Sequence, residues 1–226
     1  MDLDTLSARI AQCRRCPRLV AWREQVAVEK RAAYQHENYW GKPVPGFGDP
    51  NARLLVLGLA PGAHGANRTG RMFTGDRSGE WLFRAMFASG FASQPASEHR
   101  GDGLYLTDAW VTAPVRCAPP DNKPLVSERD NCRPWLHQEL DLLPQLRVVL
   151  CLGGFAWVNA HQALEQRGIT VPRPRPPFTH GARSQTSGPL ILASYHVSQQ
   201  NTFTGRLTES MLREVFESAK AELVSG

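Results

Sequence analysis

The sequence predicts a three-layer α/β domain, in which helices cover both faces of a parallel β-sheet. Four short segments have the length and the β-branched content of buried strands, namely residues 53–59, 104–111, 147–152 and 190–194. Their apolar residues are nearly continuous rather than alternating, as in parallel strands that are covered on both faces. Segments with helical periodicity lie between and after these strands, and such alternation is typical of α/β domains.

The helical segments alternate with the strands along the chain. We predict a helix that begins at Ser78 and further helices over residues 127–143, 155–166 and 207–223. The last of them places its apolar residues on one stripe, as expected for a helix that packs on a core. Residues 31–50 and 172–189 are rich in proline and glycine and are predicted to form long surface loops.

The chain length and composition favour one domain that spans residues 1–226, because 42% hydrophobic residues suffice for one buried core. No apolar run reaches the length of about eighteen residues that a membrane helix needs. The N-terminus, Met-Asp-Leu-Asp, lacks the basic-then-apolar order of a signal peptide. We therefore expect a cytoplasmic protein.

The net charge of +5 is unevenly distributed along the chain. No Asp or Glu occurs from Gln166 to Thr208, whereas this segment contains five arginines. This pattern predicts a positive face that suits a polyanion, with a solvated basic loop as the alternative.

Four of the five cysteines fall into two groups that suggest a metal site. Cys13 and Cys16 form a C-x-x-C pair, while Cys117 follows the second predicted strand and Cys132 lies fifteen residues later. In a reducing compartment such a set indicates zinc or an iron–sulfur cluster, unless the thiols are unrelated. The spacing does not separate the two metals, although the absence of histidine favours the cluster. Cys151 lies in an apolar strand and is interpreted as a small buried side chain.

The segment from Gly58 to Asp76 follows the first predicted strand and contains five glycines in nineteen residues. Glycines bring main-chain N–H groups close to a planar or anionic ligand. The Gly-Lys-Ser/Thr ending of a phosphate loop is absent, and the glycine spacing does not match the dinucleotide fingerprint. The segment also contains side chains that could contact phosphates or stack on a base: His64, Asn67, Arg68, Arg71 and Phe73.

Two residues of this segment have two interpretations each. Phe73 either stacks on a ligand or anchors the loop to the core. Asp76 either caps the helix near Ser78 or orients a water molecule, and these two roles are compatible. A helix N-terminus is expected to keep the Asp76 carboxylate ionised.

Taken together, these segments resemble the uracil-DNA glycosylase superfamily, and specifically its family 5, the type B enzymes with an iron–sulfur cluster. The matching segments are residues 58–71 with 73–76, residues 115–120 with 122–124, and residues 194–196 with 198–208. With the cysteines, the resemblance spans residues 13–208. It implies a three-layer uracil-DNA glycosylase-like fold with a central four-stranded parallel sheet. It also implies a 4Fe–4S cluster that is bound by Cys13, Cys16, Cys117 and Cys132.

The resemblance further implies a monofunctional DNA glycosylase of base excision repair. Such an enzyme hydrolyses the N-glycosidic bond of uracil and of hypoxanthine, ethenocytosine or hydroxymethyluracil in DNA, and it leaves an abasic site. We expect DNA that contains such bases as the partner of a monomeric protein, with no membrane contact. The alternative is a non-catalytic nucleic-acid-binding protein with a structural metal site, for which zinc would suffice.

The chain departs from the family pattern in two motifs. His196-Val197-Ser198 stands where the family usually has His-Pro-Ser, and valine is expected to leave a looser turn than proline. Residues 59–62 are apolar or glycine where better-known relatives place an Asp or Asn that activates water. The base-reading Asn that those relatives carry after the second strand is replaced by Thr112-Ala113-Pro114, so we assign base reading to Asn122.

The mechanism that the resemblance implies divides the work among three groups of residues. His196 donates a hydrogen bond to the anionic leaving base, and Asp76 positions the attacking water and offsets positive charge on the sugar. Phe73 stacks on the extruded base, and main-chain N–H groups of Gly62, Ala63 and His64 contact its carbonyl edge. Contacts with DNA are predicted for Arg68, Arg71, Ser198, Gln199, Gln200, Asn201 and Arg206, with Gln199 to Asn201 acting in the minor groove.

Overall fold

The computed structural model describes residues 1–224 and is built around one mixed β-sheet. The strands are β1 (Phe47–Gly48), β2 (Leu54–Leu57), β3 (Ala109–Thr112), β4 (Val148–Leu152), β5 (Arg183–Ser184) and β6 (Leu190–Ser194). Their order in the sheet is β1-β3-β2-β4-β6-β5, and β3, β2, β4 and β6 are parallel neighbours. The predicted four-stranded parallel sheet is confirmed as the centre, and two short antiparallel edge strands extend it to six.

Helices surround this sheet. They are α1 (Leu3–Ala11), α2 (Pro17–Glu29), α3 (Ala66–Thr69), α4 (Arg77–Ala88), α5 (Val126–Asp141), α6 (Gly154–Gln166), α7 (Gln199–Phe203) and α8 (Glu209–Val224), with 3₁₀ turns at Ala32–Tyr34 and Pro120–Asn122. The four predicted helices correspond to α4, α5, α6 and α8. The helices α1, α2, α3 and α7 were not predicted from the sequence. Over residues 1–224 no helix is long and apolar enough to cross a bilayer.

Two apolar cores lie on opposite faces of the sheet and explain why the strands are apolar throughout. Leu54 and Val56 of β2 pack with Phe83 of α4 and with residues of α8, whereas Leu55 and Leu57 pack with α5 and α6. Successive side chains of a strand point to opposite faces, so both sets need apolar residues when helices cover both faces. This arrangement confirms the three-layer architecture.

The second central strand begins later than predicted. Residues 104–108 form a loop, and Asp108 adopts a left-handed backbone conformation with φ of 56°. The Asp108 carboxylate accepts a hydrogen bond from the main-chain N–H of Arg53 at 2.9 Å, which ties this loop to the start of β2. The side-chain bond stabilises the turn, so β3 begins only at Ala109.

The acid-free segment from Gln166 to Thr208 does not form a continuous positive face. Three of its five arginines are paired with carboxylates from other helices: Arg167 with Asp141 at 2.5 Å, Arg173 with Glu165 at 2.5 Å and Arg183 with Glu222 at 2.7 Å. Within the described part of the chain, Arg175 and Arg206 make no ion pair. The expectation of a broad basic face is therefore corrected, because acids from elsewhere in the chain neutralise most of it.

Candidate active site and cysteine cluster

A cleft with a volume of about 670 Å³ lies beyond the carboxyl ends of β2 and β6. Ligands bind at this edge in open α/β sheets. Nine of the predicted site residues line it: Gly62, Phe73, Asp76, Asn122, His196, Ser198, Gln199, Gln200 and Asn201. Residues that the sequence analysis did not assign to the site also line it: Leu59, Ala60, Met72, Arg77, Ser78 and Asp121.

Asp76 caps helix α4, as predicted. Its Oδ1 atom accepts a hydrogen bond from the main-chain N–H of Gly79 at 3.0 Å. Its Oδ2 atom lies against Gly65, where a β-carbon would overlap it, so glycine is required at that position. Burial raises the pKa of Asp76 and outweighs the helix N–H groups of Ser78 and Gly79, which lower it. The N–H groups of the helix favour the ionised Asp76, as expected, but burial opposes them and raises the pKa.

Phe73 is held in a backbone conformation that is rare for residues other than glycine. Its φ is 52°, and its ring lies so close to Gly58 that a β-carbon there would stand 2.6 Å from it. The ring packs partly against the core and partly lines the cleft. Its centroid is 6.3 Å from that of His196. The anchoring of the loop by Phe73 is confirmed, whereas stacking on a ligand stays a prediction that its place in the cleft lining permits.

His196 follows β6 directly, and a turn without proline holds it in place. Val197 is buried in the core, and the Asn201 side-chain amide donates to the His196 carbonyl at 2.8 Å. These two contacts oppose the looser turn that we expected from valine. Burial lowers the pKa of His196 to about 4, so its imidazole is neutral at neutral pH. A neutral imidazole can still donate one hydrogen bond to a ligand.

The main-chain N–H groups of Gly62, Ala63 and His64 are free to contact a ligand. They make no hydrogen bond to any atom of residues 1–224. Of the three residues, Gly62 lines the cleft. The His64 ring instead points to Tyr39, with Nδ1 at 3.0 Å from the hydroxyl, and so lies outside the cleft lining. The placement of these donors is consistent with the predicted contact to a base edge, which remains a prediction.

Asn122 and its neighbour Asp121 form a strained turn at the cleft. Both residues are exposed and have left-handed backbone conformations, with φ of 56° and 52°. The turn is fastened from outside, because the Arg18 guanidinium donates to the carbonyl of Lys123 at 3.1 Å. The same guanidinium forms two hydrogen bonds to Glu128, at 2.7 Å and 2.8 Å. Strained non-glycine residues often occur at functional sites, which supports the choice of Asn122 as a site residue.

The segment from Ser198 to Arg206 contains the short helix α7 rather than an irregular loop. Ser198 occupies the N-cap position, and Gln199 and Gln200 are exposed along the cleft. Asn201 uses its amide to hold His196 and is partly buried. The guanidinium of Arg206 lies 4.6 Å from the ring centroid of Tyr195.

Arg68 and Arg71, which were predicted to contact DNA, lie inside the protein. Each is only 8% exposed. Arg68 pairs with Glu37 and donates to the carbonyl of Gly75 at 2.7 Å. Arg71 pairs with Asp102 at 2.6 Å, and this contact contributes to a pKa of Asp102 well below its usual range. Both guanidinium groups therefore brace the glycine-rich segment, and the prediction that they reach phosphates is corrected.

Arg77 is the main cleft residue that the sequence analysis missed. It follows the Asp76 cap, and its guanidinium lies 4.4 Å from the ring centroid of Phe203. Its position in the sequence could have indicated its role, because a residue that follows a helix cap at the carboxyl edge of the sheet lies near the site.

The structure brings Cys13, Cys16, Cys117 and Cys132 together in a third apolar core, which adjoins the cleft at Ala60, although none of the four cysteines lines the cleft. The last three are buried, and Cys13 packs against them. Cys13 and Cys16 lie in the connection between α1 and α2, Cys117 lies in the stretch after β3, and Cys132 lies in helix α5. Cys151 is buried in β4 within a different core, which confirms its interpretation as a small buried side chain.

Three of the four sulfurs accept hydrogen bonds. The Arg23 guanidinium donates to the Cys117 sulfur at 2.9 Å, the main-chain N–H of Arg116 donates to Cys132 at 3.5 Å, and the Asn131 amide donates to Cys16 at 3.6 Å. Burial raises the pKa of Cys117 to about 11 and that of Cys132 to about 12. The Cys117 and Cys132 thiols are therefore protonated at neutral pH unless a metal replaces the protons. Three buried thiols and the partly exposed Cys13, with N–H donors and a nearby guanidinium, suit an iron–sulfur cluster.

Comparison with known proteins identifies the family. The model of the uracil DNA glycosylase superfamily matches residues 45–220. A type-5 uracil-DNA glycosylase of Thermus thermophilus is 50% identical over 223 residues, which cover 97% of this chain and 98% of that protein. A type-5 uracil-DNA glycosylase of Mycobacterium tuberculosis is 52% identical over 217 residues, or 95% of this chain and 80% of that protein.

The chain is less similar to type-4 enzymes than to type-5 enzymes. A type-4 uracil-DNA glycosylase of Pyrobaculum aerophilum is 29% identical over 150 residues, or 66% of this chain and 60% of that protein. A type-5 enzyme of the same organism is 44% identical over 219 residues, or 97% and 92%. Because the family model covers most of the chain and the type-5 relatives match nearly all of it, the protein belongs to the uracil-DNA glycosylase superfamily, in its family 5.

Proposed function

We propose that the protein is a monofunctional DNA glycosylase that hydrolyses the N-glycosidic bond of uracil in DNA and leaves an abasic site for base excision repair. As a family 5 member it is a hydrolase of the uracil-DNA glycosylase class. The observation that carries the proposal is the meeting of Asp76, Phe73 and His196 in one cleft, although two different strands position them. Asp76 and Phe73 follow β2, whereas His196 follows β6.

His196 is suited to stabilise the leaving base. Cleavage of the glycosidic bond leaves negative charge on the base, and a fixed hydrogen-bond donor lowers the energy of that state by about 3 kcal/mol. The lowered pKa of His196, about 4, favours the neutral imidazole at the start of the reaction. It therefore acts by donating a hydrogen bond, and no proton needs to be transferred to the base in the rate-limiting step.

Asp76 is suited to position the attacking water. Its Oδ1 atom is occupied by the N–H of Gly79, whereas Oδ2 lies beside Gly62 and Gly65 at the cleft. A carboxylate in this place accepts a hydrogen bond from water and offsets the positive charge that develops on the sugar. Because burial raises the pKa of Asp76, its ionised form is lost at a higher pH than for an exposed aspartate.

We further propose that the cleft accepts hypoxanthine, ethenocytosine and hydroxymethyluracil as well as uracil. The lining beside Gly62 includes the small residue Ala60, and the cleft volume of about 670 Å³ lies in the range of small-molecule sites. Phe73 can stack on purines and pyrimidines alike, because every base has a π-face. Exocyclic groups on the base would therefore be accommodated on the side of the cleft that Ala60 and Gly62 line.

We propose that Cys13, Cys16, Cys117 and Cys132 bind a 4Fe–4S cluster. Over residues 1–224 no three Cys, His, Asp or Glu side chains form a group that could hold a single metal ion. The four thiols nevertheless share one core, and a cluster needs ligands that stand farther apart than those of one zinc ion. When bound, the cluster would link the N-terminal helices to α5. It lies outside the cleft lining, so its proposed role is structural.

An excision assay tests the proposed function. The protein is incubated with duplexes that carry uracil or one of the other three bases, and alkali then cleaves the strand at any abasic site. We expect strand cleavage that depends on both the base and the alkali. The alternative, a non-catalytic nucleic-acid-binding protein, predicts salt-sensitive binding without any abasic product.

The cofactor is tested separately on protein that is purified without oxygen. A brown preparation that absorbs near about 400 nm and contains iron and acid-labile sulfide would support the cluster. A colourless preparation with one zinc per chain would contradict it.

A further inference from the structure

Asn67 belongs to the glycine-rich segment, where its side chain was expected to be available to a ligand, but it is fully buried. Its exposed fraction is 0%, and it does not line the cleft. Asparagine is seldom buried completely, because each of its polar atoms then needs a partner inside the protein. The Nδ2 atom of Asn67 has two acceptors, whereas Oδ1 has no partner in residues 1–224. An amide that is kept here with an unpaired oxygen points to a use for its nitrogen.

The Asn67 amide joins the edge of the cleft to helix α2. Its Nδ2 atom lies 3.2 Å from the carbonyl oxygen of Arg23 in α2 and 3.4 Å from that of Ala63. An amide NH₂ group has two hydrogens, so it can donate to both carbonyls at once. Ala63 belongs to residues 62–64, whose main-chain N–H groups have no partner in the described chain; we call these residues the donor loop. Asn67 therefore ties the donor loop to a helix that is distant in sequence.

The contacts of Asn67 set the direction of two N–H groups in the donor loop. The Gly62 carbonyl accepts from the main-chain N–H of Asn67 at 3.0 Å, and the Ala63 carbonyl accepts from its side chain. In a planar trans peptide the carbonyl points away from the N–H of the next residue. Carbonyls that are held toward the protein interior therefore leave the N–H groups of Ala63 and His64 pointing the other way.

Helix α2 gives this anchor a rigid support. Arg23 is 1% exposed, and its guanidinium donates to the Cys13 carbonyl at 3.3 Å and to the Cys117 sulfur at 2.9 Å. The residue that accepts from Asn67 is thus fixed by two further contacts of its own. Donors that are held in place before the reaction stabilise a developing negative charge without any cost of reorganisation.

We propose that Asn67 is a positioning residue for base recognition. It holds the donor loop against α2, so that the N–H groups of Ala63 and His64 are preorganised for the carbonyl edge of the extruded base. This inference rests on the proposed function, because it takes the bound base to be uracil. Asn67 acts through the loop and touches neither the base nor the sugar. Its loss should weaken the recognition of the base and leave the contacts with the DNA backbone unchanged.

The test measures the affinity of Asn67→Ala for two duplexes. One carries 2′-fluoro-2′-deoxyuridine opposite guanine, because the fluorine destabilises positive charge on the sugar and so slows cleavage. The other carries thymine opposite adenine and reports the contacts with DNA that do not depend on uracil. Asn67→Ala should bind the uracil duplex about tenfold more weakly than the parent and the thymine duplex within about twofold.

Asn67→Ser differs from Asn67→Ala by one hydroxyl group. A serine hydroxyl can donate to the carbonyl four residues earlier, so this variant should keep the bond to Ala63 and lose the bond to Arg23. Its affinity for the uracil duplex should fall by only about threefold.

Asn159→Ala is the matched control. Asn159 is a buried amide in α6 with 4% exposure, and its Nδ2 atom also donates to the carbonyl four residues earlier, that of Phe155, at 2.8 Å. It does not line the cleft. Asn159→Ala should lower the midpoint of thermal unfolding about as much as Asn67→Ala, yet its affinity for both duplexes should equal that of the parent.

Equal weakening on both duplexes, or an unchanged affinity of Asn67→Ala for the uracil duplex, would overturn the proposal. If Asn67→Ala does not fold, Asn67→Ser decides, and an unchanged affinity of that variant for the uracil duplex would overturn the proposal as well. A parent protein that excises uracil beside variants of parental affinity refutes the role of Asn67 alone. If the parent neither prefers the uracil duplex nor forms an abasic product, the proposed function fails and the role of Asn67 fails with it.

Discussion

The cleft and the cysteine cluster both join segments that are far apart in the sequence, yet they are built in opposite ways. The cleft contains left-handed backbone at Phe73, Asp121 and Asn122 and has main-chain N–H groups without partners. In the cluster, apolar side chains surround the sulfurs, and three of the four accept hydrogen bonds. Strained backbone is concentrated at the cleft, where a ligand can use it. Donors without partners do not separate the two regions, because Trp135 Nε1 and Arg23 Nε beside the cysteines are also buried without a hydrogen bond in the described residues.

From this contrast we infer that the cleft residues carry out the excision chemistry and that the four cysteines contribute to the stability of the fold. Substitutions in the cleft should slow excision and leave folding almost unchanged. Substitutions in the cluster should weaken folding and leave the chemical step of the folded molecules almost unchanged. The following predictions test this division, from the largest expected effect to the smallest.

The largest effect is expected from His196→Ala. Removal of a fixed donor to the leaving base should lower the single-turnover rate on a uracil duplex by about 100-fold or more. The midpoint of urea unfolding should change little, because the imidazole makes no hydrogen bond to residues 1–224. His99→Ala, at an exposed position, is the control. A rate within about threefold of the parent would show that His196 does not stabilise the leaving base.

Cys117→Ser should have the opposite effect to His196→Ala, with a large loss of stability and a small loss of excision rate. If Cys117 binds the proposed 4Fe–4S cluster, the loss of this ligand should remove the iron and lower the free energy of unfolding by about 3 kcal/mol, because structural metal sites contribute directly to folding. The fraction that remains folded should still excise uracil at a rate within about tenfold of the parent. Cys151→Ala, outside the cluster, should keep the metal. A full loss of excision with unchanged stability would reverse the assignment of the two regions.

Gly65→Ala should slow excision through geometry alone. A β-carbon at this position overlaps Asp76 Oδ2, so the carboxylate must move away from the place where it meets water. We expect the single-turnover rate to fall by about 30-fold, since small displacements of reacting groups are costly. Gly154→Ala is the control, because its β-carbon would make only ordinary contacts. Equal rates for the two variants would mean that the position of Asp76 is not critical.

The desolvated imidazole of His196 should also make stability depend on pH. The pKa of His196 is lowered from 6.5 to about 4, so between these values the unfolded chain binds more protons than the folded one. The stability that neutral His196 contributes is complete above pH about 6.5 and is lost as the pH falls toward about 4. Asp76, whose pKa is raised, acts in the opposite sense.

Urea unfolding of the parent and of His196→Asn at several pH values isolates this contribution. The variant should lose less stability on acidification than the parent, because it has no group to protonate at this position. His99→Asn is the exposed control and should follow the parent. Identical profiles for the parent and for His196→Asn would contradict the lowered pKa of His196.

The smallest effect is expected from Arg18→Met, which connects the two regions. Arg18 lies two residues after Cys16, and its guanidinium holds Glu128 and the carbonyl of Lys123, next to Asn122. Loss of this contact should loosen the turn and lower kcat/KM by about fivefold, with no loss of the bound metal.

Arg14→Met is the matched control for this prediction, because Arg14 pairs with Glu24 on the surface. It should leave kcat/KM unchanged. A loss of metal in Arg18→Met would place Arg18 among the supports of the cluster, and an unchanged kcat/KM would show that the turn needs no such fastening.

Much of the fold could be predicted because it depends on local patterns. Continuous apolar strands required cover on both faces, and the helical stripes of α4, α5, α6 and α8 provided that cover. The cap at Asp76 was predictable for the same reason, since a cap bonds to the N–H of a residue three positions later. The edge strands β1 and β5 could not be predicted, because two residues carry no periodic signal.

The predictions for the site were correct for residues whose position follows from their own motif. They were wrong for residues whose contacts depend on distant segments of the chain. Asp76, Phe73 and His196 line one cleft as expected, because the carboxyl ends of parallel strands share one edge of the sheet. Arg68 and Arg71 resembled phosphate ligands in the sequence, but Glu37 and Asp102 approach them from other parts of the chain. A sequence motif shows which cationic side chains are present, but it does not show which carboxylates from distant segments pair with them.

The sequence by itself determined the parallel sheet, the cap of α4 and the set of four cysteines, since these follow from periodicity, from near-neighbour hydrogen bonds and from residue type. Only the tertiary structure decided which arginines remain free, that Phe203 stands at the cleft rim against Arg77, and that the four sulfurs share one core. The physical reason is the separation along the chain over which each interaction acts. Backbone periodicity and capping act over a few residues, whereas burial and ion pairing depend on which distant segment packs nearby.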